Sequence, residues 1–152
     1  MEFRLRELRA TDDEDDIRKV WREDLLAVQG DKQETLLYIQ RHLKSDMGNI
    51  RQNYSGERGR FFIVENNNQK LCGFIGILRK EDCFHIQRMN VLKSYRGQGL
   101  GSKLFQMVYS WATSRRGPIK AYADKNNKAS NQILQKQPHK KKCIGSINEY
   151  TY

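Results

Sequence analysis

Short apolar runs separated by polar clusters mark three consecutive segments in the middle of the chain. They cover residues 60–65, 71–79 and 83–91, and each is rich in Phe, Ile, Leu or Val. Runs of this length and composition are typical of strands. Because the connections at residues 66–69 and 80–82 are short and polar, we predict an antiparallel meander.

Helical periodicity precedes the meander. Residues 3–6 alternate like a first strand, and an acidic stretch at residues 11–16 then leads into apolar residues at helical spacing, namely Ile17, Val20, Trp21 and Leu25. Capping and the helix dipole explain the acidic stretch without a ligand, and a site for a metal or a cationic substrate is the alternative. Apolar residues also recur every three or four positions over residues 36–54, with a break near Gly48.

The second half of the chain changes from helix to strand. Residues 102–114 predict a helix, which the segment Arg115-Arg116-Gly117-Pro118 terminates. Residues 119–124 predict a fifth strand, parallel to the fourth because a helical crossover joins them. This order of elements predicts the α/β class, of the α+β type, in one domain over residues 1–152.

Composition restricts the class of protein further. The apolar runs are too short to span a bilayer, and the N-terminal residues lack the apolar core of a signal peptide. The three cysteines form no C-x-x-C pair, which suits a reducing compartment. We expect a soluble cytoplasmic protein with no metal site and no membrane contact.

A glycine-rich segment, Tyr95-Arg96-Gly97-Gln98-Gly99-Leu100-Gly101-Ser102-Lys103, joins the fourth strand to the predicted helix. Glycines at alternate positions allow a tight turn in which backbone N–H groups converge on one anion. A dinucleotide fingerprint and a Walker loop would each need glycine where Ser102 stands. The spacing that fits is R-x-x-G-x-G, formed by Arg96, Gly99 and Gly101, and the predicted ligand is a pyrophosphate.

With this motif the chain resembles the GNAT superfamily of acetyl-CoA-dependent N-acetyltransferases. The segment Met89-Asn90-Val91, followed by residues 93–97, is similar to the family strand and loop whose backbone contacts pantetheine. The segment Asn127-Lys128-Ala129-Ser130 is similar to a second motif, in which an Asn opens the helix after the fifth strand. The surroundings of Arg88 are loosely similar to bacterial small-molecule branches and to the camello-like group.

The resemblance implies a single GNAT domain with a mixed, mostly antiparallel sheet of six or seven strands, a splayed pair of fourth and fifth strands, and about four helices. It implies transfer of an acetyl group from acetyl-CoA, the cosubstrate, to a primary amine by direct attack in a ternary complex. The first two helices are expected to shape the acceptor pocket. The implied cofactor-binding residues are Met89, Asn90, Val91, Arg96, Gly97, Gln98, Gly99, Leu100, Gly101, Ser102 and Asn127.

Positive charge is concentrated in the half of the chain that holds the glycine-rich segment. Residues 1–76 carry 13 Lys and Arg against 14 Asp and Glu, a net of −1, whereas residues 77–152 carry 15 against 4, a net of +11. Coenzyme A and nucleic acid are the two polyanions that such a half attracts. The run Lys140-Lys141-Lys142 is typical of a nucleic-acid contact, but a solvated tail or turn explains it more often.

The predicted catalytic residues are His85 and Tyr122. Unless a bulge intervenes, strand alternation puts His85 on one face with Gln87, Met89 and Val91. His85 lies six residues before Val91, where relatives have a general base, and an unperturbed imidazole is largely neutral at cytosolic pH. A structural histidine is the alternative. The backbone N–H groups of residues 89–91 are the expected oxyanion donors.

The chain lacks the tyrosine that acts as general acid in many members of the family. Many relatives have a tyrosine on the last helix, at a position that Leu134 occupies in this chain. Tyr122 and Tyr95 are the candidates to replace it, and packing explains either tyrosine equally well.

The C-terminus also departs from the pattern, because Lys136-Gln137-Pro138-His139 stands where relatives have Lys-x-Gly-Phe. Residues 142–146 and 148–152 predict two short closing strands. Either the sheet is shortened, or a second copy completes its edge in a homodimer. The alternative function is a noncatalytic acyl-CoA-binding or basic nucleic-acid-binding module on a degenerate GNAT fold. The acceptor stays open among small amines, amino acids, peptide N-termini and lysine side chains.

Overall fold

Seven strands form one mixed sheet in the part of the chain that the structure describes. The computed structural model describes residues 2–28 and 32–152. The strands follow the order β1-β2-β3-β4-β5-β7-β6 across the sheet, and every neighbouring pair is antiparallel except β4 and β5. They are β1 (Phe3–Glu7), β2 (Gly59–Asn66), β3 (Leu71–Lys80), β4 (Cys83–Val91), β5 (Ile119–Asp124), β6 (Lys140–Ile144) and β7 (Ile147–Thr151). The predicted meander and the parallel fifth strand are confirmed.

Five α-helices lie in the described ranges, where about four were expected. They are α1 (Glu14–Val28), α2 (Lys32–Leu43), α3 (Ile50–Asn53), α4 (Leu100–Thr113) and α5 (Lys128–Leu134). The break near Gly48 is a 3₁₀ turn, Asp46–Gly48, between α2 and α3. None of the helices described in residues 2–28 and 32–152 is long and apolar enough to cross a membrane.

Acidic residues in the stretch 11–16 form hydrogen bonds and ion pairs within the protein. Asp12 accepts two hydrogen bonds of 2.8 Å from the Arg6 guanidinium. The Glu14 carboxylate accepts from the backbone N–H of Ile50 at 2.5 Å, and Asp15 pairs with Arg18 at 2.8 Å. Within the described residues, no group of three or more His, Cys, Asp and Glu side chains is arranged to hold a metal ion.

Each face of the sheet has its own apolar core. Helix α4 packs Leu104 and Val108 against one face, together with Phe84 of β4 and Tyr150 of β7. The other face carries residues of β2 and β3 and packs against α1, α2 and α3. The second core is built from Ile17, Trp21, Ile39, Met47, Ile50, Tyr54, Phe61, Ile63, Phe74 and Leu78.

The two parallel strands separate after a short paired section. β4 and β5 pair through Phe84↔Ile119, His85↔Lys120 and Ile86↔Ala121. Beyond these three pairs, β4 continues along β3, and β5 continues along β7. The sheet is therefore open between residues 87–91 and residues 122–124.

A β-bulge interrupts β4 inside this opening. Arg88 and Met89 together oppose the single Ile75 of β3, and Arg88 has a φ of +61°. The extra residue shifts the alternation, so that Met89 and Val91 pack into the same core as residues 84 and 86. The shared face expected for residues 85, 87, 89 and 91 in the absence of a bulge is therefore not formed.

The C-terminal strands are joined to α5 by one buried amide. Asn131 Nδ2 donates to the backbone oxygens of Asp124 at 2.9 Å and Asn127 at 2.8 Å. Asn131 Oδ1 accepts from Tyr150 Oη at 2.6 Å and from Asn148 Nδ2 at 3.0 Å. The two closing strands predicted from the sequence thus exist, and β6 forms the sheet edge.

Candidate active site

The cleft lies where β4 and β5 diverge, and α1 and α2 supply its opposite wall. Its volume is about 340 Å³, which suits a small molecule or part of a larger one. Its lining residues come from five elements (α1, α2, β4, β5 and α5) and from the loop before α5: Trp21, Asp24, Leu25, Tyr38, Ile86, Gln87, Arg88, Met89, Asn90, Ala121, Tyr122, Ala123, Asp124, Asn127, Ser130 and Leu134.

A buried ion pair holds the bulge at the cleft wall. The Arg88 guanidinium donates to both carboxylate oxygens of Asp46, at 2.9 and 2.8 Å, and each side chain is only 8% exposed. Arg88 also donates to Tyr38 Oη at 3.0 Å and to His42 Nδ1 at 2.7 Å. Its Cζ atom lies 5.6 Å from the centre of the Trp21 ring. These contacts link the strained backbone of β4 to α1 and α2.

The same ion pair sets the ionisation of its neighbours. Burial raises the pKa of Asp46, but hydrogen bonds and the charge of Arg88 outweigh burial and hold this pKa below its ordinary value. Arginine has no hydrogen-bond acceptor, so His42 Nδ1 must accept and its proton lies on Nε2. Burial and the charge of Arg88 lower the pKa of His42, which keeps this imidazole neutral. Tyr54 donates to Asp46 and accepts from Gln87 at 2.7 Å.

The glycine-rich segment forms a turn at the N-terminus of α4. Gly97 and Gly99 have φ values of +81° and +77°, where a Cβ would be strained. Gly99 is the N-cap of α4, and no side chain among residues 2–28 and 32–152 caps this helix end. The first N–H groups of α4 therefore point towards an exposed turn, as an anion-binding helix terminus requires.

Close packing fixes this turn against α5. A Cβ on Gly101 would lie 2.7 Å from Ile133 Cδ1, so glycine permits the approach of the two helices. Lys136 Nζ donates to Ser102 Oγ at 2.8 Å. On the cleft side, Asn127 caps α5, and its side-chain oxygen accepts from the Ser130 N–H at 3.1 Å.

Asp24 of α1 connects the cleft to the glycine-rich turn. Its Oδ1 accepts from Arg96 Nη2 at 3.0 Å, and its Oδ2 accepts from Asn90 Nδ2 at 3.1 Å. Arg96 Nε also donates to the backbone oxygen of Val91 at 2.8 Å. The arginine of the R-x-x-G-x-G motif is thus held against the end of β4.

His85 lies beside the cleft, and Tyr122 lines it. The two rings stack with centroids 5.8 Å apart and planes 8° apart. Burial, followed by the charges of Lys80 and Lys120, lowers the pKa of His85, so the imidazole is neutral at pH 7. Burial and the carboxylate of Glu149 raise the pKa of Tyr122, which keeps the phenol protonated. A neutral base and a protonated phenol therefore lie side by side.

The structure brings Met89, Asn90, Tyr122 and Asn127 to the cleft wall. Leu134 also lines the cleft, whereas Tyr95 packs edge-on against Phe3 and its hydroxyl accepts from Asn66 Nδ2 at 3.2 Å. Sequence reasoning missed Asp24, Arg88 and Asp46. Of these three, only Arg88 could have been singled out from the sequence, because it directly precedes the strand motif Met89-Asn90-Val91.

Comparison with known proteins agrees with this geometry. The model of the acetyltransferase (GNAT) family matches residues 15–137. The PaiA N-acetyltransferase of Thermoplasma acidophilum, solved in complex with coenzyme A, has a TM-score of 0.75 and 17% identity, and the alignment covers 100% of both chains. A GNAT-family acetyltransferase of Staphylococcus aureus Mu50 has a TM-score of 0.71 and 18% identity, with 99% of this chain and 98% of that chain covered.

A third structure, a putative acetyl transferase of Pyrococcus furiosus, has a TM-score of 0.73 and 20% identity, with 94% of this chain and 97% of that chain covered. No curated protein matches the sequence. At such low identities the solved structures show the shared fold, and the family model carries the assignment. The sheet opening and the family match define an acyltransferase. The chain belongs to the acetyltransferase (GNAT) family.

Proposed function

We propose that the protein transfers an acetyl group from acetyl-CoA to a primary amine by direct attack in a ternary complex. The observation that carries this proposal is the opening between β4 and β5, which adjoins an uncapped helix N-terminus with a glycine turn. One end of this arrangement suits a pyrophosphate, and the other end is a cleft where a thioester and an amine can meet. The net charge of +11 on residues 77–152 supports an anionic cosubstrate.

Cofactor contacts are proposed for the residues that match the family motifs. The N–H groups at Gly97, Gln98, Gly99, Leu100, Gly101 and Ser102 form the anion-binding turn, with Arg96 as its cation. Backbone groups of Met89, Asn90 and Val91 face the opening and pair with the pantetheine arm. Asn127, at the N-terminus of α5, borders the cleft on the opposite side. No metal is needed for this chemistry.

Acetyl transfer requires a neutral amine and a donor for the charge that develops on the carbonyl oxygen. The lowered pKa of His85 leaves its imidazole free to accept the amine proton through a water. Tyr122, whose ring stacks on that of His85, is the proposed proton donor to the leaving thiolate of coenzyme A. The backbone N–H groups after the bulge are the donors for the carbonyl oxygen.

The primary test is release of free thiol from acetyl-CoA in the presence of a panel of primary amines. We expect amine-dependent release that Gly99→Val abolishes, because a β-branched residue at a φ of +77° distorts the exposed turn. Thermal unfolding of this variant checks that the fold is retained. Absence of acetyl-CoA binding to the wild type at millimolar concentration contradicts the proposal.

The roles of the two catalytic candidates are separable. His85→Ala is expected to keep acetyl-CoA affinity and to lose turnover, and Tyr122→Phe is expected to reduce turnover at neutral pH, where the phenol of the wild type is protonated and can donate. Unchanged turnover removes the substituted residue from the mechanism.

Leu134 at the family's tyrosine position favours a second candidate, a noncatalytic acyl-CoA-binding module. Binding without turnover of any amine would support it. Retention on RNA that falls steeply with salt, without competition by acetyl-CoA, would instead indicate a nucleic-acid-binding module. A homodimer through the β6 edge stays a prediction that sedimentation at several concentrations tests.

A further inference from the structure

Asp24 is the carboxylate at which the cleft and the glycine-rich turn meet. It is 31% exposed, and its two oxygens accept hydrogen bonds from different elements, Asn90 of β4 and Arg96 of the turn. Both Asp24 and Asn90 line the cleft. The negative charge of Asp24 is therefore directed into the site but is matched by the charge of Arg96.

Arg96 makes two contacts that compete with a bound cosubstrate. Its guanidinium holds Asp24 at 3.0 Å, and its Nε holds the Val91 backbone oxygen at 2.8 Å. The side chain is 48% exposed, so its reorientation meets little packing resistance. A pyrophosphate in the adjoining turn carries more negative charge than one carboxylate and is the stronger partner for a guanidinium.

Asn90 adds an acceptor beside Asp24. Its Nδ2 donates to Asp24, whereas its Oδ1 is buried without a hydrogen-bond partner among the described residues. A buried acceptor without a donor is unfavourable, and a rotation of the Asn90 side chain, which lines the cleft, would bring this oxygen to a ligand N–H. One carboxylate and one amide oxygen together fit a group that only donates, such as an alkylammonium.

We propose that Asp24 binds the cationic nitrogen of the amine acceptor and that Arg96 masks Asp24 until a pyrophosphate is bound. The inference rests on the proposed function. It adds to that function a substrate class, namely cationic amines, and an order of binding in which the cosubstrate precedes the amine. When Arg96 turns to the pyrophosphate, the Asp24 carboxylate loses its cation, and the cleft becomes negative where an ammonium enters. Binding of the two substrates is then coupled, and the coupling is reciprocal.

The proposal makes an unusual prediction for Asp24→Asn. Both Asp24 oxygens accept hydrogen bonds, so an amide at this position must place an NH₂ against one of the two donors. The variant releases Arg96 in the free protein, and acetyl-CoA no longer competes with an ion pair. We expect acetyl-CoA to bind about two- to fivefold more tightly, the range that a half-exposed ion pair allows. A purely structural role for Asp24 predicts weaker binding.

The experiment is a calorimetric titration of acetyl-CoA into the wild type, Asp24→Asn and Glu23→Gln. Glu23 is exposed on the same helix, outside the cleft, so Glu23→Gln removes the same charge without touching Arg96. Glu23→Gln is expected to leave affinity within a factor of about 1.5. Equal or weaker binding by Asp24→Asn overturns the inference. A wild type that does not bind acetyl-CoA overturns the proposed function itself, so the two failures are distinguishable.

The second arm titrates propylamine, with propan-1-ol as the neutral control, into free protein and into protein saturated with coenzyme A. The wild type is expected to bind propylamine at least about threefold more tightly when coenzyme A is present, and Asp24→Asn is expected to lose this difference. Propylamine binding that does not depend on coenzyme A overturns the proposed masking. Equal affinities of propylamine and propan-1-ol overturn the assignment of Asp24 as a cation site.

Discussion

Replacing Asp46 by Asn tests whether the ion pair with Arg88 holds the cleft wall in place. Asp46 and Arg88 are each 8% exposed, and the guanidinium donates to both carboxylate oxygens. Removing the charge of one partner leaves a buried cation without compensation, which costs about 3–5 kcal/mol in comparable sites. An asparagine still accepts one hydrogen bond, so we expect the lower end, about 3 kcal/mol. For a chain of 152 residues this corresponds to a fall in melting temperature of roughly 6–12 °C.

The assay is thermal and urea unfolding followed by circular dichroism, with Glu57→Gln as the matched control. Glu57 pairs with Arg115 at 3.3 Å, but its side chain is 86% exposed, so its loss is expected to change the free energy of unfolding by less than about 0.5 kcal/mol. The double variant D46L/R88M removes both charges and is expected to be more stable than Asp46→Asn alone. A melting temperature of Asp46→Asn within 2 °C of the wild type, or a D46L/R88M variant no more stable than Asp46→Asn, would refute this reasoning.

Three further predictions concern stability. The pKa of His42 is lowered in the folded state, so the imidazole is protonated at a higher pH in the unfolded state than in the folded one. The contribution of neutral His42 to stability is therefore complete above about pH 6.5 and is lost as the pH falls. The free energy of unfolding in urea, measured between pH 7 and 5, should depend less on pH for His42→Gln than for the wild type. Gly101→Val is expected to destabilise by about 1–3 kcal/mol, because the new side chain meets Ile133 Cδ1, and adding Ile133→Ala should restore part of the loss in thermal unfolding. Asn131→Leu leaves the Tyr150 hydroxyl and other buried groups unpaired and should cost about 3 kcal/mol in urea unfolding, whereas Tyr150→Phe should cost about 1 kcal/mol.

Much of the fold is predictable because its signals are local. The apolar runs of residues 60–65, 71–79 and 83–91, with their polar connections, correspond to β2, β3 and β4 within two residues. The glycine-rich turn is predictable for the same reason, since Gly97 and Gly99 adopt the positive φ values that favour glycine.

The missed features depend on contacts between distant residues. Asp46 pairs with Arg88, 42 positions away in the sequence, and Asp24 pairs with Arg96, 72 positions away. No local sequence pattern therefore predicts either pair. The bulge at Arg88 carries no glycine or proline. It is visible only once the pairing of β4 with β3 is known.

The short pairing of β4 with β5 also affects how far the sequence of this region can change. Only three residue pairs join the two strands, so the inner edge of each strand presents its main chain to the opening. A ligand whose amides pair with a strand edge is recognised by peptide groups, which every residue except proline carries. Under the proposed pairing of this edge with the pantetheine arm, side chains of residues 89–91 can change without removing that part of recognition, whereas Arg88 is needed to hold the bulge through Asp46.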